Sequence, residues 1–215
     1  MPARTYATAD AFRRALEERL KQAAAAGRVD PNRLRRQVSF DRLLARLFRD
    51  EAAPWVLKGG YALELRFKDA RSTVDIDLTV QQIFASGVAT NDVLRKLLQT
   101  AADVYLDDWF KFEVGPPIMD LTAAPYGGAR YLVDARMADR IFTRFHLDAG
   151  IGDLVMRPLE AIVCRDWLAF AGIESSRVLM IAREQQGEGP GRPGSSHRIG
   201  RPGETAGSGS FASHF

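Results

Sequence analysis

Asp75 and Asp77 stand one residue apart in the run "STVDIDLTV" (Ser72–Val80). In a strand successive side chains alternate faces, so both carboxylates share one face and Ile76 takes the other. Paired carboxylates on a partly buried sheet repel, and each raises the other's pKa unless a cation compensates. Mg2+ is a natural compensator, since it takes one or two carboxylates together with phosphate oxygens and water. Two such ions form the clamp of in-line phosphoryl transfer. Upstream, Gly59 and Gly60 follow the strand-like Trp55–Leu57 and open a short helical run, Tyr61 to Phe67. Amides at a helix N-terminus bind phosphate, and glycine lets the ligand come close. D-x-D alone and G-G alone are common. In order on strand, turn, helix and strand, they describe a site that holds phosphate by backbone and metal by carboxylate. The blander reading is two aspartates solvated at a sheet end. Lys58 is then either charge support for a triphosphate or a surface lysine.

The elements that must position these residues follow from periodicity. Residues 8–26 read as a helix capped by Thr8 or Asp10, with Phe12, Leu16 and Leu20 on one face and Gly27 at its end. A second helix starts at Asp30-Pro31 and runs to about Asp50, with Leu34, Val38, Leu44, Leu47 and Phe48 apolar. On it Arg35, Arg42, Arg46 and Arg49 form a stripe, either a solvated face or a phosphate-contacting one. Thr73–Val80 is a strand. Residues 91–106 form a helix with Val93, Leu97, Leu98, Ala101 and Tyr105 on one side. Three strand-like runs follow: "FKFEV", "GARYLVDARM" and "RIFTRFHLDAG". The last alternates Phe142, Arg144, His146 and Asp148 on one face. Residues 159–171 read as a short mixed or helical segment, and Arg177–Ala182 as a final strand. Trp109, Tyr105 and Phe110 read as core. After Gln186 the chain turns Gly-, Pro- and Ser-rich, a composition that buries too little surface to offset its ordering entropy, so disorder is expected there.

The chain has 215 residues and a formal net charge of +3, which permits a nucleic-acid partner without requiring one. Cys164 is its one cysteine, which excludes an intrachain disulfide and a Cys-based zinc site and reads as a buried thiol. The N-terminal stretch lacks the apolar core of a signal peptide. No run approaches the roughly 20 apolar residues of a membrane helix, so a cytoplasmic protein with no membrane partner is expected.

"LKGGYALELRFKDARSTVDIDL" resembles the opening motif of the AbiEii/AbiGii toxin family, part of the nucleotidyltransferase superfamily shared with DNA polymerase beta. Leu57, Lys58, Gly59, Gly60, Ala62, Leu63, Arg71, Thr73, Asp75, Ile76, Asp77 and Leu78 match, while Tyr61 stands where Thr or Ser is usual. "YGGARYLVDARM" and "RFHLDAGIGD" resemble the later strands. The resemblance makes Asp148 the third carboxylate, with Asp153 a weaker candidate. It implies an α+β fold: a polymerase-beta-like mixed sheet with flanking helices. It also implies N-terminal helices over 1–54, a nucleotidyltransferase core over 55–186 and a disordered tail over 187–215. The implied activity is Mg2+-dependent transfer of a nucleotide from an NTP to an acceptor, the 3′ end of tRNA in some relatives. The setting would be a type IV-like toxin–antitoxin or phage-defence system, with a cognate antitoxin encoded nearby. Asp75, Asp77 and Asp148 would be catalytic and hold metal. Lys58, Gly59, Gly60, Arg71 and Thr73 would bind the nucleotide, with Arg71 on phosphate or bracing the aspartates. His146 reads as a partly buried histidine rather than a base.

The likeness stops near Gln186. The family's C-terminal helical lobe, with its further lysine and aspartate, has no counterpart, and the expectation is a truncated or frameshifted member that binds nucleotide with strongly reduced or absent transfer. Two rival readings stay open: a remnant that binds nucleotide or partner without turnover, and a metal-dependent nuclease. The latter would need no Gly-Gly phosphate turn.

Overall fold

The computed structural model describes residues 5–67, 72–81, 91–155 and 157–183. Arg71 and the segment 187–215 lie outside them.

Helix α1 (Ala9–Gly27) begins where the Thr8 side chain accepts the Ala11 amide at 3.2 Å, and ends as Arg28 takes the left-handed cap. Phe12, Leu16, Leu20 and Ala24 make its buried stripe. Helix α2 (Pro31–Leu47) is capped by Asp30, whose Oδ1 accepts the Asn32 amide at 3.0 Å, with Pro31 opening the first turn. Residues 37–47 of α2 are buried all round, which makes it the central helix of the protein.

Strand β1 (Trp55–Lys58) runs directly into helix α3 (Gly59–Arg66), and β2 (Asp75–Val80) returns beside β1. Helix α4 (Asn91–Ala102) precedes β3 (Lys111–Asp120), β4 (Gly128–Met137) and β5 (Arg140–Ile151). The short strands β6 (Glu160–Val163) and β7 (Arg177–Met180) close the described chain. Together they form one seven-stranded mixed sheet in the order β3-β4-β5-β2-β1-β7-β6. β2 and β5 are parallel, as are β1 and β7, and the other neighbours are antiparallel. With four α-helices among the described residues, this is the expected α+β architecture.

Alternation divides the sheet. Ile76 and Leu78, Tyr131 and Val133, and Phe145 and Leu147 point into one core with Phe12, Phe40 and Leu44 from the helices. Arg130, Asp134, His146, Asp148, Asp75 and Asp77 point the other way and stay partly exposed.

Four expectations differ in detail. β3 continues past Val114 through Gly115-Pro116-Pro117, with two register shifts; it is an edge strand, where proline costs no ladder bond. Helix α4 stops at Ala102 and buries Leu94, Leu98 and Ala102, while Val93 is 44 % and Tyr105 72 % exposed. Residues 159–171 hold β6 and a single 3-10 turn, as the mixed reading allowed, whereas Phe142, read on one face with Arg144, His146 and Asp148, turns into the core. The arginine stripe on α2 is neither a solvated face nor a phosphate contact at its centre. Arg42 and Arg46 are buried and both bond Asp108, at 2.7 Å from Arg42 Nε and 2.6 Å from Arg46 Nη2. Burial alone would raise the Asp108 pKa, but the hydrogen bonds and charges of the two guanidiniums outweigh it and hold the carboxyl below its usual range.

Candidate active site

β2 carries Asp75 and Asp77 on its open face, and the parallel neighbour β5 sets His146 beside Asp75 and Asp148 beside Asp77. On the far side of β2, Lys58 of β1 is paired with Asp77. On the far side of β5, Arg130 of β4 is paired with Asp148. A single row across four strands therefore reads Lys58, Asp77, Asp148, Arg130: two carboxylates flanked by two cations. The sequence-derived trio Asp75, Asp77 and Asp148 is brought together on adjacent strands.

Arg130 grips the acidic cluster. Its Nε and Nη2 donate to Asp148 Oδ1 and Oδ2 at 2.7 and 2.8 Å, and Nη2 lies 3.3 Å from Asp75 Oδ2. The bond to Asp148 raises the arginine's pKa, with the charges of Asp148, Asp75 and Asp77 adding to it. His146 Nδ1 sits 3.3 Å from Asp75 Oδ1. Lys58 Nζ pairs with Asp153. Asp153 thus stands against the lysine at the end of β5, outside the carboxylate row.

The Gly-Gly turn and Asp77 are built against each other. Gly59 takes φ +66°, a left-handed conformation, and a Cβ there would lie 2.6 Å from Asp77 Cγ. A Cβ on Gly60 would lie 2.8 Å from Thr73 Oγ1. Helix α3 has no side-chain cap of its own. The Asp77 side chain of β2 packs against this N-terminal turn instead, and the nearby Gly60 amide lowers its pKa. Burial and the neighbouring Asp148 push the Asp77 pKa up, and Asp75 adds to this; Lys58 and the Gly60 amide pull it down without cancelling the rise. Asp77 is thus the acid in the row with too little positive charge around it.

Two residues that sequence reasoning did not single out hold this arrangement. Arg130 was readable only as one polar position in a strand. Glu64, 3 % exposed on α3, accepts Gln37 Nε2 at 2.6 Å and the Thr73 backbone amide, which ties the strand entering the D-x-D pair to helices α2 and α3. Its only sequence signal is a carboxylate between Leu63 and Leu65. Tyr61, at the position expected to carry a small hydroxyl, points away from the site: it is 1 % exposed and donates to Asp41 Oδ1 at 2.6 Å.

The donor set suits a hard divalent cation: three carboxylates on one face, one of them with a raised pKa. As arranged, no three acidic, imidazole or thiol groups converge on one point among the described residues. The oxygens of Asp75 and Asp148 that could turn toward an ion are bonded by Arg130 or close to His146. Arg130 stands in for a cation at this cluster. Among the described residues no helix is long and apolar enough to cross a membrane.

A family model described as the nucleotidyl transferase AbiEii toxin of type IV toxin–antitoxin systems matches residues 42–186. No curated protein matches the chain. The match begins inside α2, takes in the D-x-D strand, the Gly-Gly turn, Arg130 and Asp148, and covers more than half of the sequence: the chain belongs to the AbiEii nucleotidyltransferase toxin family.

Proposed function

We propose that this chain moves a nucleotide from an NTP to an acceptor hydroxyl, with Asp75, Asp77 and Asp148 holding Mg2+ and the 3′ end of tRNA as the acceptor class. The observation that carries the reading is the row Lys58–Asp77–Asp148–Arg130 with Asp75 beside it. Same-face carboxylates on neighbouring strands are costly unless a cationic ligand is their purpose. Mg2+, when bound, supplies neutralisation of phosphate charge and acidifies the attacking hydroxyl. Lys58, Gly59, Gly60 and Thr73 surround the N-terminal, positive end of α3 and would face the phosphates. Arg71 joins that set on its sequence position. Asp148 takes the proton of the acceptor hydroxyl. The freed oxygen bonds to the α-phosphorus, the bond to the β-phosphate breaks, and pyrophosphate leaves. Family membership implies an antitoxin partner, and the cell interior and phage defence are the setting we infer.

The test is incorporation of labelled NTPs into total RNA, with and without Mg2+, by the wild type and Asp77→Asn. Label should enter RNA only with Mg2+, and the variant should lose at least about 10²-fold. Its melting temperature should hold or rise slightly, because Asn keeps the side-chain volume and the repulsion with Asp148 and Asp75 is gone. Full transfer by Asp77→Asn would show the metal assignment to be wrong. RNA shortening without NTP would favour a nuclease. A Mg2+- and NTP-dependent rise in melting temperature, abolished by Asp75→Ala but with no transfer, would favour a binding module.

A further inference from the structure

We infer that Arg130 is the resident counter-ion of the carboxylate cluster and competes with a divalent cation for it; this rests on the reading that the cluster takes such a cation. Three observations support it. First, Arg130 uses its planar fork on both oxygens of Asp148 and reaches Asp75 Oδ2 with the same nitrogen that bonds Asp148 Oδ2. A guanidinium that only braced one carboxylate would leave Asp75 alone. Second, the remaining oxygen of Asp75 faces His146 Nδ1 at 3.3 Å. All four oxygens of Asp75 and Asp148 therefore have a nitrogen within hydrogen-bond reach, and among the described residues no three groups converge as a cation requires. Third, the other flanking cation, Lys58, is engaged by Asp153, so Arg130 carries most of the neutralisation of this pair.

A guanidinium and a dication cannot share two carboxylates without repelling each other at short range, where the effective dielectric is far below that of water. Arrival of the ion and departure of the guanidinium from Asp75 and Asp148 are then one event. The Arg130 side chain is 28 % exposed on the open face, so it has solvent to move into. The metal-free protein is stabilised by the contact that weakens its metal affinity.

Mn2+ binding, read by electron paramagnetic resonance of the free ion, tests this on the full chain. The wild type, Arg130→Met and Arg130→Lys are titrated, with Asp77→Asn as the ligand-deficient control. Arg130→Met should bind Mn2+ about fivefold or more tightly than the wild type. Its metal-free melting temperature should fall, because the carboxylates lose their counter-ion. Arg130→Lys keeps the charge and should stay near the wild-type affinity. Equal or weaker Mn2+ binding by Arg130→Met would overturn the proposal and make Arg130 a brace that preorganises Asp148. Absence of binding by wild type and variant alike would overturn the metal reading itself and the inference with it. If Arg130→Met does not fold, the Arg130 Nε–H resonance of the wild type, identified by its loss in Arg130→Lys, decides. Mg2+ should shift it upfield as the bond to Asp148 breaks; an unmoved resonance under conditions where Mn2+ binds overturns the competition.

Discussion

Gly59→Ala is the substitution most exposed to the geometry of the site. It adds a single methyl group, yet it meets two obstacles. Gly59 sits at φ +66°, and an L-residue there costs about 1–2 kcal/mol. The new Cβ would also lie 2.6 Å from Asp77 Cγ and 2.9 Å from Asp77 Cβ, so the Asp77 side chain must shift out of its place in the row. Forcing an extra carbon into a packed site costs about 1–3 kcal/mol. Against this, alanine reduces the entropy of the unfolded chain, worth about 0.4–1 kcal/mol. The net loss is roughly 2–4 kcal/mol, or a fall in melting temperature of about 5–15 °C for a chain of this size. Because the displaced group is Asp77, Mn2+ affinity and nucleotide transfer should fall with stability, whereas a distant destabilising change would leave binding intact in the folded fraction. Thermal unfolding followed by circular dichroism, with Mn2+ titration at a temperature where both proteins are folded, measures the two effects separately. An alanine variant that melts within about 2 °C of the wild type and binds Mn2+ normally would refute the reasoning, since neither the left-handed turn nor the Asp77 contact would then matter.

Two further outcomes follow from buried acids away from the row. Asp108→Asn leaves Arg42 and Arg46 without their shared carboxylate. It should cost about 3–5 kcal/mol, a fall of about 10 °C or more in melting temperature, with the metal affinity of the folded protein unchanged. Asp41, buried beneath Tyr61 and Trp167, has its pKa pushed up to about 6 by burial. It takes up its proton more readily folded than unfolded, so its contribution is fully present below its unfolded pKa near 3.8 and is lost as pH rises through about 6. The stability difference between wild type and Asp41→Asn should therefore change by about 2 kcal/mol between pH 4 and 7; parallel stability curves from urea unfolding would contradict it.

The Asp75–Asp77 pair was legible because it depends on local rules, whereas Asp148 was placed by the family resemblance alone. Alternation within "DID" fixes one face, and a strand followed by Gly-Gly and a short helix fixes the turn. Arg130 was not legible, and the reason is one residue. The β4–β5 hairpin pairs Met137 with Arg140 and Arg136 with Ile141, then shifts register so that Ala135 pairs with Thr143. Phe142 is the extra residue of that bulge and turns into the core, although it shares parity with Arg144, His146 and Asp148. Counted back from the turn without the bulge, Asp148 would face Ala129, and Arg130 would miss it. The face of α4 was misjudged for a tertiary reason as well. Arg42 and Arg46 draw Asp108 inward, so the chain leaves the helix at Ala102 and turns, with Asp107 and Trp109 at positive φ. Tyr105 therefore ends outside the core it was assigned to.

Helix α3 shows how far the site depends on contacts that lie outside its own segment. It is eight residues long, opens with two glycines, and has no side-chain cap. A helix that short is not stable alone, and glycine in its first turn lowers its propensity further. What holds it is tertiary. Asp77 of β2 packs against its N-terminal turn at Gly59. Tyr61 anchors its first turn by donating to Asp41, which also accepts Trp167 Nε1 at 2.9 Å. Glu64 anchors its middle to Gln37 and to the Thr73 amide. The Tyr61 hydroxyl also lies 3.2 Å from the Gln37 carbonyl, so when Asp41 is protonated it can donate to Tyr61 while Tyr61 donates to Gln37. The network is thus satisfied in either protonation state, and α3 keeps its place across that titration. A larger residue in place of a small hydroxyl at position 61 is consistent with this: the position serves the helix from inside the core, and the helix in turn holds Gly59 and Gly60 against Asp77. The place of Asp77 on the open face is braced, through α3, by polar contacts buried in the core.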